Sequence, residues 1–286
     1  MIFFVGSVFS PYYAWDRRAG RPQPERHVAA NIALYGEGGY RWAMTERGEA
    51  QLSRSASHLA VRNSAISRHT DGTLTIDIDE RCAPLPRKLS GRLHISPILT
   101  GPTAFTLDPA GRHRWHPFVP MARIRVEMDH LGRSWSGNAY LDHNIGDEPV
   151  ETRFVKWSWT RTIESKRTRI FYDTQLRDGT ASHLHVAYDR SGQIETGPAP
   201  PVRRICRTRW GLPIEARSDP GGPLRLAMRW EDGPFYARSL LACTLEGQAV
   251  EAVHEAVSLD RFRHPVVQCM LPFRMPRRAP RHRGAG

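Results

Sequence analysis

Hydrophobic and polar residues alternate with a period of two along much of this 286-residue chain, whereas the three-to-four-residue spacing of an amphipathic helix is hard to find. The alternation is clearest in 73–79 (TLTIDID), 122–128 (ARIRVEM), 183–189 (HLHVAYD) and 224–230 (LRLAMRW). Turn dipeptides such as Asp71-Gly72 and Ser191-Gly192 separate such runs. The pattern predicts a mainly β chain whose short antiparallel strands close into barrels or sandwiches.

The length allows one large or two small domains. Proline and glycine flank the strand run near 115–135, which favours a division there. We therefore predict an N-terminal β domain over 1–120 and a C-terminal β domain over 121–275. Residues 276–286 are basic and of low complexity, and are predicted to be a disordered tail.

The first fifteen residues, MIFFVGSVFSPYYAW, carry no charge but do not indicate a membrane span. A spanning helix needs about 20 apolar residues, and Pro11 interrupts this shorter run. The basic start and cleavage site of a signal peptide are also missing. The segment predicts a buried strand that ends at a proline turn.

The charge balance is strongly positive, with 41 Lys+Arg against 29 Asp+Glu and a net charge of +12. This excess favours an anionic partner, either nucleic acid or an anionic membrane face, although most of the charges are expected to be solvated without a partner. The basic stretch 277–283 (RRAPRHR) lacks an accompanying aromatic RNA-binding motif. Peripheral contact with an anionic membrane is therefore preferred over nucleic acid.

Motifs for cofactors are few. The four cysteines lie far apart without a CxxC pair, which favours reduced, mostly buried thiols. No phosphate-binding loop or HExxH sequence occurs, and the glycine-rich stretch from Gly36 reaches Arg41 where a dinucleotide-binding motif needs glycine. No nucleotide cofactor and no metal is predicted. His183-x-His185 is a minor alternative as a pair of metal ligands on one strand face.

Two clusters carry residues suited to acid chemistry: 113–117 (HRWHP) and 140–149 (YLDHNIGDEP). On extended backbone His113 and Trp115 share a face, as do Tyr140 and Asp142. A carboxyl group in an apolar site stays protonated and can protonate a carbon–carbon double bond. Aromatic faces stabilise the resulting cation, by about 2 kcal/mol or more once water is excluded. Histidine can position water or accept its proton.

Other interpretations of the same residues stay open. A tryptophan beside a proline turn is commonly a core anchor, and an aspartate before His-Asn is commonly a turn residue. Asp147 or Glu148 is an alternative acid, although both are expected in an exposed turn. The pair Trp157 and Trp159 is expected to fill a barrel interior and line an apolar ligand cavity.

Long, ordered segments of the chain resemble the carotenoid 1,2-hydratases, also called the hydroxyneurosporene synthase family. They are 6–15 (GSVFSPYYAW), 29–36 (AANIALYG), 41–48 (RWAMTERG), 111–118 (GRHRWHPF), 139–149 (AYLDHNIGDEP), 231–241 (EDGPFYARSLL) and 259–277 (LDRFRHPVVQCMLPFRMPR). The resemblance implies two lipocalin-like β-barrel domains. It also carries the family's H-x-W and Y-x-D motifs onto His113/Trp115 and Tyr140/Asp142.

The resemblance further implies the reaction: addition of water to the terminal C1–C2 double bond of acyclic carotenoids such as neurosporene and lycopene, in photosynthetic bacteria. Asp142 is expected to donate the proton, Trp115 and Tyr140 to flank the carbocation, and His113 or the Asp142 carboxylate to take the spare proton. No cofactor is implied, and peripheral attachment at the cytoplasmic face of the inner membrane is expected. A non-catalytic lipocalin-like isoprenoid carrier is the alternative, and a nucleic-acid-binding module the third.

One departure accompanies the resemblance. Family members are expected to carry further residues before the segment that matches GSVFSPYY, whereas this chain begins almost on that segment. Either the start is misassigned or the first strands are absent, which would leave a barrel edge unpaired.

Overall fold

The structure, a computed structural model, describes residues 1–36 and 40–278. Its backbone contacts form two compact units, each assembled from separate parts of the chain. Unit 1 contains Met1–Pro97, Ala122–Ala139 and the described residues from Gln268 onward; unit 2 contains Ile98–Met121 and Tyr140–Val267. The single division near residue 120 that the sequence suggested therefore differs from this grouping, because long strands pass from one unit into the other.

Unit 1 begins with a three-stranded antiparallel sheet in the order β1-β2-β3: β1 (Ile2–Val5), β2 (Val28–Leu34) and β3 (Arg41–Arg47). Helix α1 (Pro11–Arg18) separates β1 from β2. Proline suits the first helical position because its missing N–H has no partner there anyway. The Ser10 side chain caps the helix by accepting a hydrogen bond from the Tyr13 amide at 3.0 Å. The predicted N-terminal strand is present, but Pro11 begins a helix.

The next strands along the chain are β4 (Leu52–Arg54), β5 (His58–Val61), β6 (Ser64–Arg68), β7 (Leu74–Arg81), β8 (Lys88–Leu99), β9 (Phe105–Thr106), β10 (His113–Met128) and β11 (Arg133–Gly146). Their sheet has the order β4-β5-β6-β7-β8-β10-β11, and β9 pairs with β10. A Cβ atom at Gly91 in β8 would lie 2.2 Å from the Glu127 carbonyl oxygen, so this close strand approach requires glycine.

Unit 2 is built on a seven-stranded sheet in the order β15-β14-β13-β12-β20-β19-β18. Its elements are α2 (Val150–Arg153), β12 (Phe154–Ile163), β13 (Arg167–Leu176), β14 (Ala181–Asp189), β15 (Ile194–Thr196), the hairpin of β16 (Val202–Arg207) and β17 (Pro213–Arg217), then β18 (Arg225–Asp232), β19 (Tyr236–Leu245), β20 (Gln248–Ser258) and α3 (Leu259–Arg263). Helix α4 (Pro265–Arg274) follows.

The β16–β17 hairpin covers one face of the seven-stranded sheet. Ile214 and Ala216 of the hairpin share a buried apolar cluster with Ala237, Leu241 and Ala256 of the sheet. Side chains alternate between the two faces of a strand, so their sequence neighbours point the other way. The opposite face consequently carries aromatic and charged side chains from the central strands, and the candidate site lies on that face.

The prediction of a mainly β, antiparallel chain is confirmed. Leu74, Ile76 and Ile78 are buried on one face of β7, as their alternation predicted. In the part of the chain that the structure describes, neither large sheet closes on itself in its hydrogen-bonding order. The expected closure into complete barrels is therefore not seen.

Several local expectations differ from the structure. Met228, which the alternation of 224–230 placed on one strand face with Leu224 and Leu226, is 51% exposed because β18 is an edge strand with two irregularities in its pairing with β19. The helices α1, α3 and α4 had no counterpart in the sequence pattern. Of the four free cysteines, only Cys243 is buried, so the expectation of mostly buried thiols was wrong.

The start of the predicted C-terminal tail is paired with β3. The Glu46 amide donates to the Pro276 carbonyl and the Arg278 amide donates to the Glu46 carbonyl, both at 3.0 Å. Arg277 also forms an ion pair with the buried Glu46. The rest of the predicted tail, 279–286, lies outside the described residues.

Candidate active site

Asp142 is held by two hydrogen bonds to one carboxyl oxygen. The Trp115 indole N–H donates to Asp142 Oδ2 at 2.8 Å, and the Tyr140 hydroxyl donates to the same oxygen at 3.0 Å. No side chain or backbone donor of the described residues bonds to Oδ1. When the carboxyl group is protonated, its hydrogen therefore belongs on Oδ1, because Oδ2 already accepts two bonds.

The pKa of Asp142 is raised above its ordinary value, mainly because burial disfavours the charged carboxylate. The hydrogen bonds from Trp115 and Tyr140 oppose this shift, the charge of Glu255 adds to it, and Arg161 opposes it. Asp142 is surrounded by protein groups yet only half-buried by accessible area, as expected for a side chain that lines a recess. Such an environment favours the protonated carboxyl group, which is the form that can donate a proton.

Tyr140 supports Asp142 as a hydrogen-bond donor. Burial and the nearby Asp142 charge raise the pKa of its phenol far above the ordinary value, so the hydroxyl keeps its proton. Its ring lies 5.5 Å from the Trp159 ring, between centroids, and 5.2 Å from Arg161 Cζ. The Arg161 guanidinium already contacts this ring, so the ring stabilises a second cation less strongly.

Trp115 is fully buried, with 0% of its surface accessible. Its ring packs against Phe105 and Tyr172, each with a centroid distance of 5.7 Å. A ring without accessible surface cannot contact a ligand unless its neighbours move. Trp115 therefore acts on Asp142 through its indole N–H, and as a core anchor.

His113 shares a face of β10 with Trp115, as expected, but its contacts lie elsewhere. Its ring packs edge-on against Phe154 at 4.9 Å between centroids. A Cβ atom at Gly146 would lie 2.4 Å from His113 Nδ1, so glycine is needed beside the imidazole. His113 Nε2 is 3.6 Å from Glu148 Oε1, too far for a hydrogen bond. Burial lowers the pKa of His113 and favours the neutral ring. The structure does not bring His113 into contact with Asp142.

The two alternative acids are paired with arginines. Glu148 accepts hydrogen bonds from Arg153 Nε at 2.7 Å and Arg112 Nη1 at 2.9 Å. Burial acts to raise the pKa of Glu148, but the bonds from Arg153 and Arg112 outweigh it, and the net shift is downward. Asp147 is exposed and forms an ion pair with Arg112 at 3.4 Å. Glu148 is consequently suited to the ionised state.

Trp157 and Trp159 occupy alternate positions of β12 and are both half-buried. Trp159 contacts Tyr140, and Trp157 packs against Tyr172 at 6.5 Å between ring centroids. Tyr172 and Glu255 stand directly beside Trp159 on the neighbouring strands. Two partly accessible indoles therefore lie on the same sheet face as the groups around Asp142.

The comparisons with known proteins identify the family of the chain. The family model for carotenoid hydratase CrtC matches residues 1–283. An acyclic carotenoid 1,2-hydratase of Thiocapsa roseopersicina is 45% identical over 279 residues, which cover 97% of this chain and 68% of that protein. One of Cereibacter sphaeroides is 40% identical over 282 residues, covering 97% of this chain and 98% of that protein.

The chain belongs to the carotenoid hydratase CrtC family.

The architecture also has a solved counterpart. A crystal structure of a protein described as AttH, from Nitrosomonas europaea, superimposes with a TM-score of 0.59 at 13% identity and covers 81% of each chain. At this identity the likeness concerns the fold alone. It supports the lipocalin-like class predicted for this CrtC-family chain.

Three charged or polar residues near Asp142 were missed by sequence reasoning: Arg161, Glu255 and Tyr172. Arg161 continues the alternation of Trp157 and Trp159 along β12, so the spacing W-x-W-x-R could have indicated it. Glu255 is held by Arg238, whose Nε donates at 3.0 Å. Glu255 and Tyr172 come from strands distant in sequence, and no local pattern pointed to them.

The contacts of His183 and His185 do not support the alternative in which this pair binds a metal ion. His183 is exposed, whereas His185 is half-buried, stacks on Phe171 at 4.6 Å between centroids and lies 3.3 Å from the Pro198 carbonyl oxygen. Within residues 1–36 and 40–278, no group of three or more His, Cys, Asp or Glu side chains could hold a metal ion.

Proposed function

We propose that this chain is an acyclic carotenoid 1,2-hydratase that adds water across the terminal C1–C2 double bond of its substrate. The observation that carries the proposal is the environment of Asp142: a carboxyl group with a raised pKa whose Oδ2 is bound by two donors and whose Oδ1 accepts none from the described residues. The names of its CrtC-family relatives support the substrate class.

In the proposed first step, the proton on Asp142 Oδ1 passes to C2 of the terminal double bond. The π electrons form the new C–H bond, which leaves a tertiary cation at C1 and a carboxylate at Asp142. The Trp115 and Tyr140 donors stabilise that carboxylate, since hydrogen bonds to charged groups contribute about 1.5–3 kcal/mol each. The neutral acid therefore becomes an anion beside a developing cation, an arrangement that stabilises the transition state.

In the second step, water attacks C1 and its extra proton leaves to a base. The Asp142 carboxylate is the simplest base, because accepting this proton restores the starting acid; His113 is the alternative. Trp157 and Trp159 are proposed to contact the substrate, since they keep accessible surface where Trp115 has none. Atoms and charge balance in these steps without a metal or an organic cofactor.

The lipid-soluble substrate and the net charge of +12 support a further proposal of peripheral contact with an anionic membrane, at the cytoplasmic face of the inner membrane. Over the residues that the structure describes, every helix is too short or too polar to cross a bilayer.

The experiment is incubation of the purified protein with an acyclic carotenoid in D₂O or in H₂¹⁸O. We expect a product heavier by one water, with one non-exchangeable deuterium at C2 or one ¹⁸O at C1. Binding of the carotenoid without any such product would favour an isoprenoid carrier instead. The same assay after exhaustive chelation tests whether the reaction is independent of metal.

A further inference from the structure

Unit 1 contains a cleft of about 290 Å³ that is separate in sequence from the residues around Asp142. Its wall includes Arg47 and Glu80, which are both buried. Arg47 Nη2 donates to Glu80 Oε2 at 2.5 Å, and Ser64 Oγ donates to Glu80 Oε1 at 3.2 Å. The negative charge of Glu80 is therefore mostly compensated by Arg47. Glu80 neutralises little of the positive charge of the other cations in the cleft.

The remaining charges of the cleft are mostly positive. Five cationic side chains and two carboxylates line it, a net charge of +3. Arg62, Lys88 and Arg278 form no side-chain hydrogen bond or ion pair with any described residue. The second carboxylate, Asp79, accepts a hydrogen bond from the Asn63 amide at 2.7 Å. The cleft therefore carries more positive charge than its own carboxylates neutralise, although Arg62 as well as Arg47 acts electrostatically on Glu80.

The protein backbone holds two of these cations in place. Arg62 lies in the two-residue turn between β5 and β6 with φ of 62°, a left-handed conformation that such hairpin turns require. Arg278 is positioned by the backbone pairing of the C-terminal segment with Glu46 of β3. A cation from the β5–β6 turn and one from the last described residue therefore reach one cleft, which reduces the reorganisation needed to bind an anion.

We propose that this cleft binds a phosphate group. Arginine and lysine are the side chains that recognise phosphate, arginine through paired N–H donors, and a wall of charged groups does not suit an apolar ligand. The volume is sufficient for a small phosphate ester. The phosphate could come from an anionic lipid headgroup or from a soluble ester, and the site is independent of the hydration chemistry at Asp142.

The test compares two double variants of the full chain with equal loss of charge. R62Q/K88Q removes two cations of the cleft, and R54Q/R123Q removes two exposed cations of unit 1 that do not line it. Binding of glycerol 3-phosphate is measured by calorimetry. Flotation with phosphatidylglycerol vesicles, and with phosphatidylcholine vesicles as neutral control, tests the lipid source.

We expect R62Q/K88Q to weaken phosphate binding by about tenfold or more, because charge-assisted hydrogen bonds are the strong ones, and R54Q/R123Q to change it less than about twofold. Vesicle binding that glycerol 3-phosphate displaces assigns the headgroup; binding of the soluble ester alone assigns a soluble ligand. Equal losses in both variants, or no saturable binding of either probe, would overturn the site. Hydration in detergent should persist in both variants, which separates this result from the function proposed above.

Discussion

Asp142 and Glu148 are six residues apart in the sequence, yet their environments move their pKa values in opposite directions. Two arginines bond to Glu148, so it stays ionised. Asp142 has only the neutral donors Trp115 and Tyr140, and burial prevails. Both carboxyl groups are partly enclosed by protein, so enclosure alone does not distinguish them. The charge of the hydrogen-bond donors decides which carboxyl group keeps its proton and can act as an acid.

The sharpest test of this comparison is Asp142→Asn. The amide keeps the shape and can still accept the two hydrogen bonds, but it has no proton of suitable acidity. We expect turnover to fall by about 10³-fold or more, because the proposed general acid is removed. Carotenoid binding, measured by fluorescence quenching of the tryptophans, should stay nearly unchanged. If the variant keeps more than a few per cent of wild-type turnover, the acid is another group.

The same variant makes a prediction about stability. A carboxyl group with a raised pKa contributes stability at low pH that is lost as the pH rises through its folded-state pKa. The asparagine variant has no such loss. Its melting temperature relative to wild type should therefore increase with pH from about 4, the ordinary pKa of the carboxyl group, and a constant difference between about pH 3 and pH 9 would contradict the buried environment of Asp142.

Burial without a compensating charge also acts on a base, His254, on the hairpin-covered face of the sheet. Its Nδ1 bonds to Thr160 Oγ1 at 2.8 Å, and burial lowers its pKa from 6.5 to about 4. The folded state thus favours the neutral ring. The contribution of His254 to the free energy of unfolding is therefore fully present above pH 6.5 and is lost as the pH falls toward 4. The expected loss from this histidine is about 3 kcal/mol.

Urea unfolding at pH 7.5 and pH 4.5, of wild type and His254→Gln, measures this contribution. Between the two pH values, the free energy of unfolding should fall by about 3 kcal/mol less in the variant than in wild type. The comparison removes the contribution of the other titrating groups, because both proteins share them. Equal pH dependence in both proteins would show that His254 is not responsible.

Tyr140→Phe sharpens the comparison by removing one donor to Asp142 Oδ2 while keeping the ring. We expect turnover to fall by about tenfold, since part of the hydrogen bond to the developing carboxylate is lost. The pKa of Asp142 should rise, so the decline of activity at high pH should move upward. A lower rate with an unmoved pH profile would mean that the hydroxyl does not act through Asp142.

The smallest effect is expected from Glu148→Gln, the matched control for Asp142→Asn. It removes a charge paired with Arg112 and Arg153 but no proton donor. Turnover should stay within about threefold of wild type, with a modest fall in melting temperature, because partly exposed ion pairs contribute little. A loss as large as that of Asp142→Asn would reverse the assignment of the two carboxyl groups.

The sequence by itself determined the fold class and the neighbours of the acid. Alternation along β7 and β10 predicted strands and their buried faces, because a half-buried strand must place its apolar residues on one side. The same rule placed His113 with Trp115 and Tyr140 with Asp142. Helices α1 and α3 were not predicted, because both are short and each is marked at its start by a single serine cap.

Only the tertiary structure decided what each group does. It separated His113 from Asp142, covered the Trp115 ring, bound Glu148 with arginines, and placed Arg161 and Glu255 near the acid. It also brought Arg278 beside β3 from the far end of the chain. Burial, ion pairing and hydrogen bonding depend on strands that are distant in sequence, and a pKa is set by all of them together.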